Sequence, residues 1–84
     1  MTELRFRMLR LLNEREQREA PGVPTIGELA EAVGEPLHKV SLVLKSSEAM
    51  GMIAIHRYMG TPEADFAVTL KPSAYVHLES QMEH

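Results

Sequence analysis

One segment of the chain, residues 36–50, combines helix-forming residues with side chains of the kinds that contact nucleic acid. When positions are projected at about 100° per residue, its outer side carries His38, Ser41, Leu42, Lys45 and Ala49, and Lys39 adds a further cation. Lysine reaches phosphates or guanine, serine a phosphate or a base edge, and leucine a thymine methyl group. The same residues also fit a solvated helix face with one exposed leucine.

Arg57 is a further cation, in a segment that is predicted to form a strand. It fits contact with a DNA backbone or insertion into a minor groove. It fits equally well an ion pair with Glu63 or Asp65 across a hairpin, and we favour that pairing slightly.

Other kinds of chemistry find little support in the sequence. The four histidines, His38, His56, His77 and His84, lack the spacing of a metal site, and the chain has no cysteine. It contains neither a nucleophile motif nor a glycine-rich phosphate loop after a strand. We therefore expect no enzyme activity, no cofactor and no metal.

The elements that position these residues begin at Thr25. Thr25 and Glu28 have the spacing of a capping box, and apolar residues follow at helical intervals: Ile26, Leu29, Ala30 and Val33. Gly34 is suited to end this helix, and Pro36 to occupy the first position of the next. Two helices around a glycine-containing turn, here residues 25–51, indicate a helix-turn-helix. The core side of the second helix is predicted to carry Leu37, Val40, Val43, Leu44, Ser47 and Met50.

Residues 2–18 predict a first helix with an apolar arc that is wide for a surface helix. Leu4, Met8, Leu11 and Leu12 form one stripe, and Phe6 and Leu9 extend it. Packing on two sides within the domain explains this arc, and so does packing of Phe6 and Leu9 against a second copy of the chain. A segment rich in proline and glycine, residues 20–24, then ends the helix, and we expect Val23 to make a short edge-strand contact.

The remaining sequence predicts a hairpin and a last helix. Residues 52–58 and 66–70 read as two strands around a loop with glycine and proline. Phe66, Val68 and Leu70 alternate as in a half-buried strand. The last helix is expected over residues 72–82, with Tyr75, Leu78 and Met82 on its inner side.

Length and charge limit the possible functions. The 84 residues suffice for one small domain, and no run of apolar residues is long enough to cross a membrane. No signal peptide is recognisable at the start, so we expect a cytoplasmic location. The net charge of −3 does not favour nucleic acid, because much of the affinity for DNA comes from basic residues that neutralise phosphates.

The order of helix, helix-turn-helix and hairpin resembles the small winged helix-turn-helix regulators of the MarR and ArsR kind. The resemblance covers roughly residues 4–71 and rests on residues 25–30, which open the first helix of the motif, on Gly34, on Val40 and Leu44, and on residues 51–53 before the wing. The chain departs from the family pattern at Ser47, where leucine is usual, and in its few basic residues on the second helix. Its wing carries Glu63 and Asp65 where such families tend to have basic residues.

Together these patterns predict an α+β fold, mostly helical: a single winged helix-turn-helix domain over residues 1–84. It has a three-helix core, a helix-turn-helix (25–51), a wing hairpin (52–70) and a short C-terminal helix (72–82). The resemblance implies a DNA-binding transcriptional regulator, expected as a homodimer on double-stranded DNA; the alternative is a protein–protein interaction module without DNA binding. The candidate DNA contacts are His38, Lys39, Ser41, Leu42, Lys45 and Arg57, and the candidate dimer contacts are Phe6, Leu9, Tyr75, Leu78 and Met82.

Overall fold

Four helices and one antiparallel hairpin make up the part of the chain that the structure describes. The computed structural model describes residues 3–17 and 22–82, without the side chains of Gln17, Gln81 and Met82. In chain order the elements are α1 (Glu3–Gln17), α2 (Ile26–Val33), α3 (Leu37–Ala49), β1 (Ile53–His56), β2 (Ala67–Leu70) and α4 (Pro72–Met82). A 3₁₀ turn over Glu63–Asp65, which we call the wing turn, lies between the two strands. This is the winged-helix architecture that the sequence predicts; the outermost positions of the expected first helix, 2 and 18, lie outside the described residues.

The first helix of the helix-turn-helix begins and ends where its sequence indicates. The Thr25 hydroxyl accepts a hydrogen bond from the Glu28 backbone N–H at 3.2 Å, which caps α2. Gly34 ends the helix with φ 70°, a left-handed conformation that favours glycine, and its N–H donates to the Ala30 carbonyl at 2.9 Å. The apolar stripe of α2 is buried, as predicted, at Ile26, Leu29, Ala30 and Val33.

Helix α3 begins one residue later than expected, because Pro36 is its N-cap in an extended conformation. Val40 and Leu44 are fully buried and anchor the helix to the core. Leu37 and Met50, which were expected on the core side, lie at the two ends of α3 and are exposed. Ser47 is 1% exposed, and two hydrogen bonds satisfy its hydroxyl: it donates to the Val43 carbonyl at 2.9 Å and accepts from Arg5 Nε at 3.1 Å.

The wide apolar arc of α1 is explained by packing within the domain. This helix contacts α2, α3, α4 and β2. Met8, Leu9 and Leu12 are all buried, and Phe6 and Leu11 are partly buried against the same core. Leu9, at 1% exposure, has almost no surface left for a second copy of the chain.

The hairpin pairs Ile53 with Leu70 and His56 with Ala67, so β1 ends two residues before the predicted strand does. Val68 is fully buried, in keeping with the predicted alternation. The edge contact expected at Val23 forms instead at Thr25, which bridges Ala67. The carbonyl of Pro24 accepts the Val68 N–H at 2.9 Å, and the Ile26 N–H donates to the Phe66 carbonyl at 3.0 Å.

Helix α4 packs through Ala74 and Leu78, which are one turn apart and buried. Tyr75, predicted to face inwards, lies beside this line and is half-exposed, and its hydroxyl donates to the carboxylate of Glu16 on α1. Met82 ends the helix, but its side chain lies outside the described part of the structure. Within the described ranges, no helix combines the length and the apolar character required to cross a bilayer.

Candidate nucleic-acid interface

The outer side of α3 presents a row of exposed side chains one after another along the helix. His38, Leu42 and Lys45 lie at spacings of four and three residues, which places them on one helical face. Leu42 is 66% exposed, unusually open for a large apolar residue next to a folded core. The row offers a cation, an imidazole and an apolar surface to whatever contacts α3.

Ser41 does not belong to this exposed row, contrary to the projection of the sequence. It is only 4% exposed, and its hydroxyl donates to Oε1 of Glu63 in the wing turn. A helical projection gives the direction of a side chain but not what covers it, and here the wing turn covers Ser41. Direct contact between this hydroxyl and DNA therefore requires Glu63 to move first.

The wing turn is held close to the helix-turn-helix by a glycine. A β-carbon added at Gly27 of α2 would lie 3.1 Å from the Ala64 carbonyl oxygen and 3.3 Å from the Ala64 β-carbon. Within the turn, the Asp65 N–H donates to the Pro62 carbonyl at 2.9 Å, and the Phe66 N–H to the Glu63 carbonyl at 3.1 Å. These contacts thus position the backbone of the wing turn, and with it the point from which the Glu63 side chain extends.

Lys45 pairs with the same carboxylate that Ser41 contacts. Its Nζ lies 3.2 Å from Glu63 Oε1, so the hydroxyl and the ammonium group converge on one oxygen atom. The hydrogen bond from Ser41 and then that from Lys45 lower the pKa of Glu63. Glu63 is consequently ionised at neutral pH.

Arg57 pairs with neither Glu63 nor Asp65, contrary to the pairing that the sequence favoured. Its guanidinium forms two hydrogen bonds with Glu48 on the last turn of α3, from Nη1 to Oε2 at 2.7 Å and from Nη2 to Oε1 at 2.9 Å. Strand β1 leaves the end of α3 and runs back beside it, which brings residue 57 next to residue 48 rather than across the hairpin. The bond from Arg57 is the main reason that the pKa of Glu48 is lowered, and the same bond raises the pKa of Arg57.

All three basic residues predicted to contact DNA therefore have a carboxylate partner. Lys39 pairs with Glu35 at 3.2 Å, one helical turn before it. Each basic side chain is about half exposed: Lys39, Lys45 and Arg57. The exposed pairs of Lys39 and Lys45 are of a kind that contributes little to stability, whereas the pair of Arg57 with Glu48 is held by two hydrogen bonds. Each of the three cations is exposed enough to contact a second anion.

The acidic partners, Glu35, Glu48 and Glu63, were not among the predicted site residues. Only Glu35 has a local signal, because residues four apart on a helix are neighbours. Tyr58 and Met59 were not among the predicted site residues either, and both are exposed, Met59 fully. Two adjacent exposed apolar side chains therefore lie in the loop that follows β1.

The residues predicted to form a dimer interface differ in how much surface they offer. Phe6 is partly buried, with the Arg10 guanidinium 5.7 Å from its ring centre, and Tyr75 and its neighbour Val76 are exposed. Leu78, at 2% exposure, lies in the core of its own protomer, as Leu9 does.

Comparison with known proteins supports the fold. Neither a protein-family model nor a curated protein matches the chain. Among solved structures, MepR of Staphylococcus aureus, a transcription regulator of the multidrug efflux pump MepA, matches 99% of this chain and 56% of its own, with a TM-score of 0.79 and 18% identity. A complex of MepR with DNA matches with a TM-score of 0.76 and 19% identity, over 99% of this chain and 55% of the other.

A MarR family protein from Bacillus stearothermophilus matches 99% of this chain and 52% of its own, with a TM-score of 0.75 and 20% identity. The chain spans about half the length of these proteins. At this level of identity the similarity shows the fold: the chain has the winged-helix fold of MarR-type regulators, and the resemblance drawn from its sequence is confirmed.

Proposed function

We propose that this protein is a DNA-binding transcriptional regulator that inserts α3 into the major groove. The main support is the exposed row of His38, Leu42 and Lys45 on the second helix of a helix-turn-helix. In proteins of this architecture that helix contacts base edges. The similarity to MepR, which has been solved with DNA bound, is consistent with this arrangement.

Each residue of the interface has a role in this proposal. Lys39 and Lys45 contact phosphates or guanine, and Leu42 contacts a thymine methyl group. His38, at the start of α3, reaches the backbone or a base edge. Arg57 contacts the backbone beside the wing once it leaves Glu48.

The proposed regulator acts as a homodimer, because two copies read two half-sites whereas one small helix-turn-helix buries little DNA surface. Phe6, Tyr75 and Val76 offer surface for the second copy. They lie on α1 and α4, two helices that contact each other in the protomer.

A second function, a protein-interaction module, is favoured by a different observation. Leu42, Tyr58 and Met59 are large, apolar and exposed, and the basic residues near them are paired with carboxylates. With a net charge of −3, such a surface also suits a protein partner with apolar and basic side chains.

A salt-dependent titration of a labelled duplex, followed by fluorescence anisotropy, tests the first function. We expect Lys45→Ala to weaken binding to every duplex and to lower the slope of log affinity against log salt by about one. Lys71→Ala removes the same charge after β2, outside the exposed row on α3, and serves as the matched control. An equal effect of the two variants would refute the role of α3.

Absence of duplex binding at any salt concentration would instead favour the protein-interaction module. In that case Leu42→Asp is expected to abolish binding to the protein partner, and Lys45→Ala to leave it unchanged.

A further inference from the structure

The wing turn places a carboxylate where a DNA phosphate would be expected to bind. Glu63 Oε1 accepts the Ser41 hydroxyl and lies 3.2 Å from Lys45 Nζ. A serine hydroxyl and a lysine ammonium group are among the donors that proteins use to contact phosphate oxygens. Both donors lie on the helix proposed to enter the major groove, and a single carboxylate oxygen occupies them.

We propose that Glu63 is an intramolecular competitor of the DNA backbone, which limits the affinity of this protein for any duplex. A phosphate oxygen replaces Glu63 Oε1 at Lys45 and Ser41 when α3 enters the groove. This inference rests on the proposed DNA-binding function and adds a residue that acts against it.

The position of Glu63 follows from the fold and not from the ion pair alone. The wing turn packs on α2 through the close approach of Ala64 to Gly27, and its own backbone hydrogen bonds close it. Ser41 is 4% exposed, so its hydroxyl has no free access to solvent while Glu63 is in place. Expulsion of Glu63 therefore breaks a hydrogen bond to a buried group as well as an exposed ion pair, which makes it more costly than breaking an ordinary surface pair.

The expulsion also leaves a negative charge close to the duplex. The Glu63 side chain is 41% exposed, and it remains ionised after it leaves Ser41 and Lys45, because the ordinary pKa of a glutamate carboxyl lies well below neutral pH. Removing its charge has two separable effects on DNA binding: it frees Lys45, and it reduces repulsion of the backbone. Only the first effect depends on the presence of Lys45, which gives the experiment its control.

The test is a comparison of Glu63→Gln, Lys45→Ala and the double variant, with Glu79→Gln as a matched control. Glu79 is an exposed residue of α4 for which the described part of the chain shows no side-chain partner. A labelled random-sequence duplex is titrated by anisotropy at about 50 to 200 mM salt, the range over which phosphate contacts change affinity strongly. Circular dichroism and urea unfolding establish that each variant is folded.

We expect Glu63→Gln to bind about twofold to fivefold more tightly than the wild type, the range for releasing one exposed ion pair, because the amide oxygen of glutamine still accepts the Ser41 hydroxyl. The gain in affinity should be clearly smaller in the Lys45→Ala background, where only the reduced repulsion remains, and Glu79→Gln should bind as the wild type does. The salt dependence of Glu63→Gln should match that of the wild type, because Lys45 reaches a phosphate in both complexes.

Other outcomes overturn the inference in distinguishable ways. If the wild type binds the duplex and Glu63→Gln binds no better than Glu79→Gln, Glu63 is not a competitor and the proposed function stands. If the gain in affinity is equally large without Lys45, it reflects repulsion alone and the competition is refuted. If neither the wild type nor Glu63→Gln binds any duplex at low salt, the proposed function fails and the inference fails with it.

Discussion

Replacing Ser47 with alanine tests how α1 and α3 are held together. The buried Ser47 hydroxyl accepts a hydrogen bond from Arg5 Nε at 3.1 Å and donates to the Val43 carbonyl at 2.9 Å. Alanine removes both bonds and hardly changes the packing volume. The Arg5 guanidinium keeps its bond to the exposed Ser46 hydroxyl at 2.6 Å. The variant therefore tests the hydrogen bonds of the buried Ser47 hydroxyl separately from that bond.

The expected loss of stability follows from three contributions. A hydrogen bond to a charged group contributes about 1.5 to 3 kcal/mol, and the lower end applies because Arg5 retains other partners. Loss of the second bond, to a carbonyl within the same helix, costs little. Alanine has a better helix propensity than serine by about 0.5 kcal/mol, which offsets part of the loss. We therefore expect Ser47→Ala to lower the free energy of unfolding by about 1 kcal/mol.

Urea unfolding followed by circular dichroism measures this change directly. With a slope of about 1 kcal/mol per molar urea for a small domain, the midpoint should fall by about 1 M. Ser46→Ala is the matched control, and its free energy of unfolding should stay within about 0.5 kcal/mol of the wild type because Ser46 is exposed. If Ser47→Ala is as stable as the wild type, or Ser46→Ala loses as much, the buried hydrogen bond does not hold α1 on α3.

Two further predictions concern the wing. Glu48 has a lowered pKa in the folded protein, so its contribution to stability is present above the unfolded value near 4.5 and is lost as the pH falls through the folded value. Urea unfolding at a series of pH values should therefore find Glu48→Gln less stable than the wild type at neutral pH but not in acid; a difference that persists in acid would contradict the ion pair with Arg57. In an open helix, replacing glycine with alanine raises the free energy of unfolding by about 1 kcal/mol. Gly27→Ala should raise it much less, because the new β-carbon would lie 3.1 Å from the Ala64 carbonyl oxygen. Nuclear magnetic resonance shifts at Ala64 and Asp65 should report the displaced turn, and a full gain without such shifts would show that the wing turn is not tight against α2.

Local sequence patterns predicted most of the fold. The capping pair of Thr25 and Glu28, and the left-handed position of Gly34, depend on residues within a few positions of one another, so the sequence contains the whole signal. The alternation that ends in Val68 and Leu70 likewise identified a strand. The ends of the elements were predicted less accurately. The first strand was expected to reach residue 58, but β1 stops at His56 because its antiparallel partner begins at Ala67.

The candidate interface was harder to predict, since its contacts join residues far apart in the chain. Arg57 and Glu48 are brought together by the return of β1 along α3, and no spacing within either element records that approach. The burial of Ser41 depends on a wing turn that closes on α2 through Gly27, a contact between elements that a helical projection does not contain. The projection of the sequence thus predicted the exposure of His38, Leu42 and Lys45, and it missed the carboxylates that pair with the cations.

The bridge between Thr25 and Ala67 has a mechanical consequence. Residues 24–26 and 66–68 are joined by backbone hydrogen bonds on both sides of that bridge, so the start of the helix-turn-helix and the second strand of the wing form one rigid frame. A hairpin attached only through β1 would be free to swing and to adjust its distance from α3. Here the fold sets the distance between the wing and α3. A duplex that contacts both elements therefore has to adopt a groove width that fits this distance. Sequences that reach this width at low deformation energy would then be preferred even at base pairs that no side chain touches.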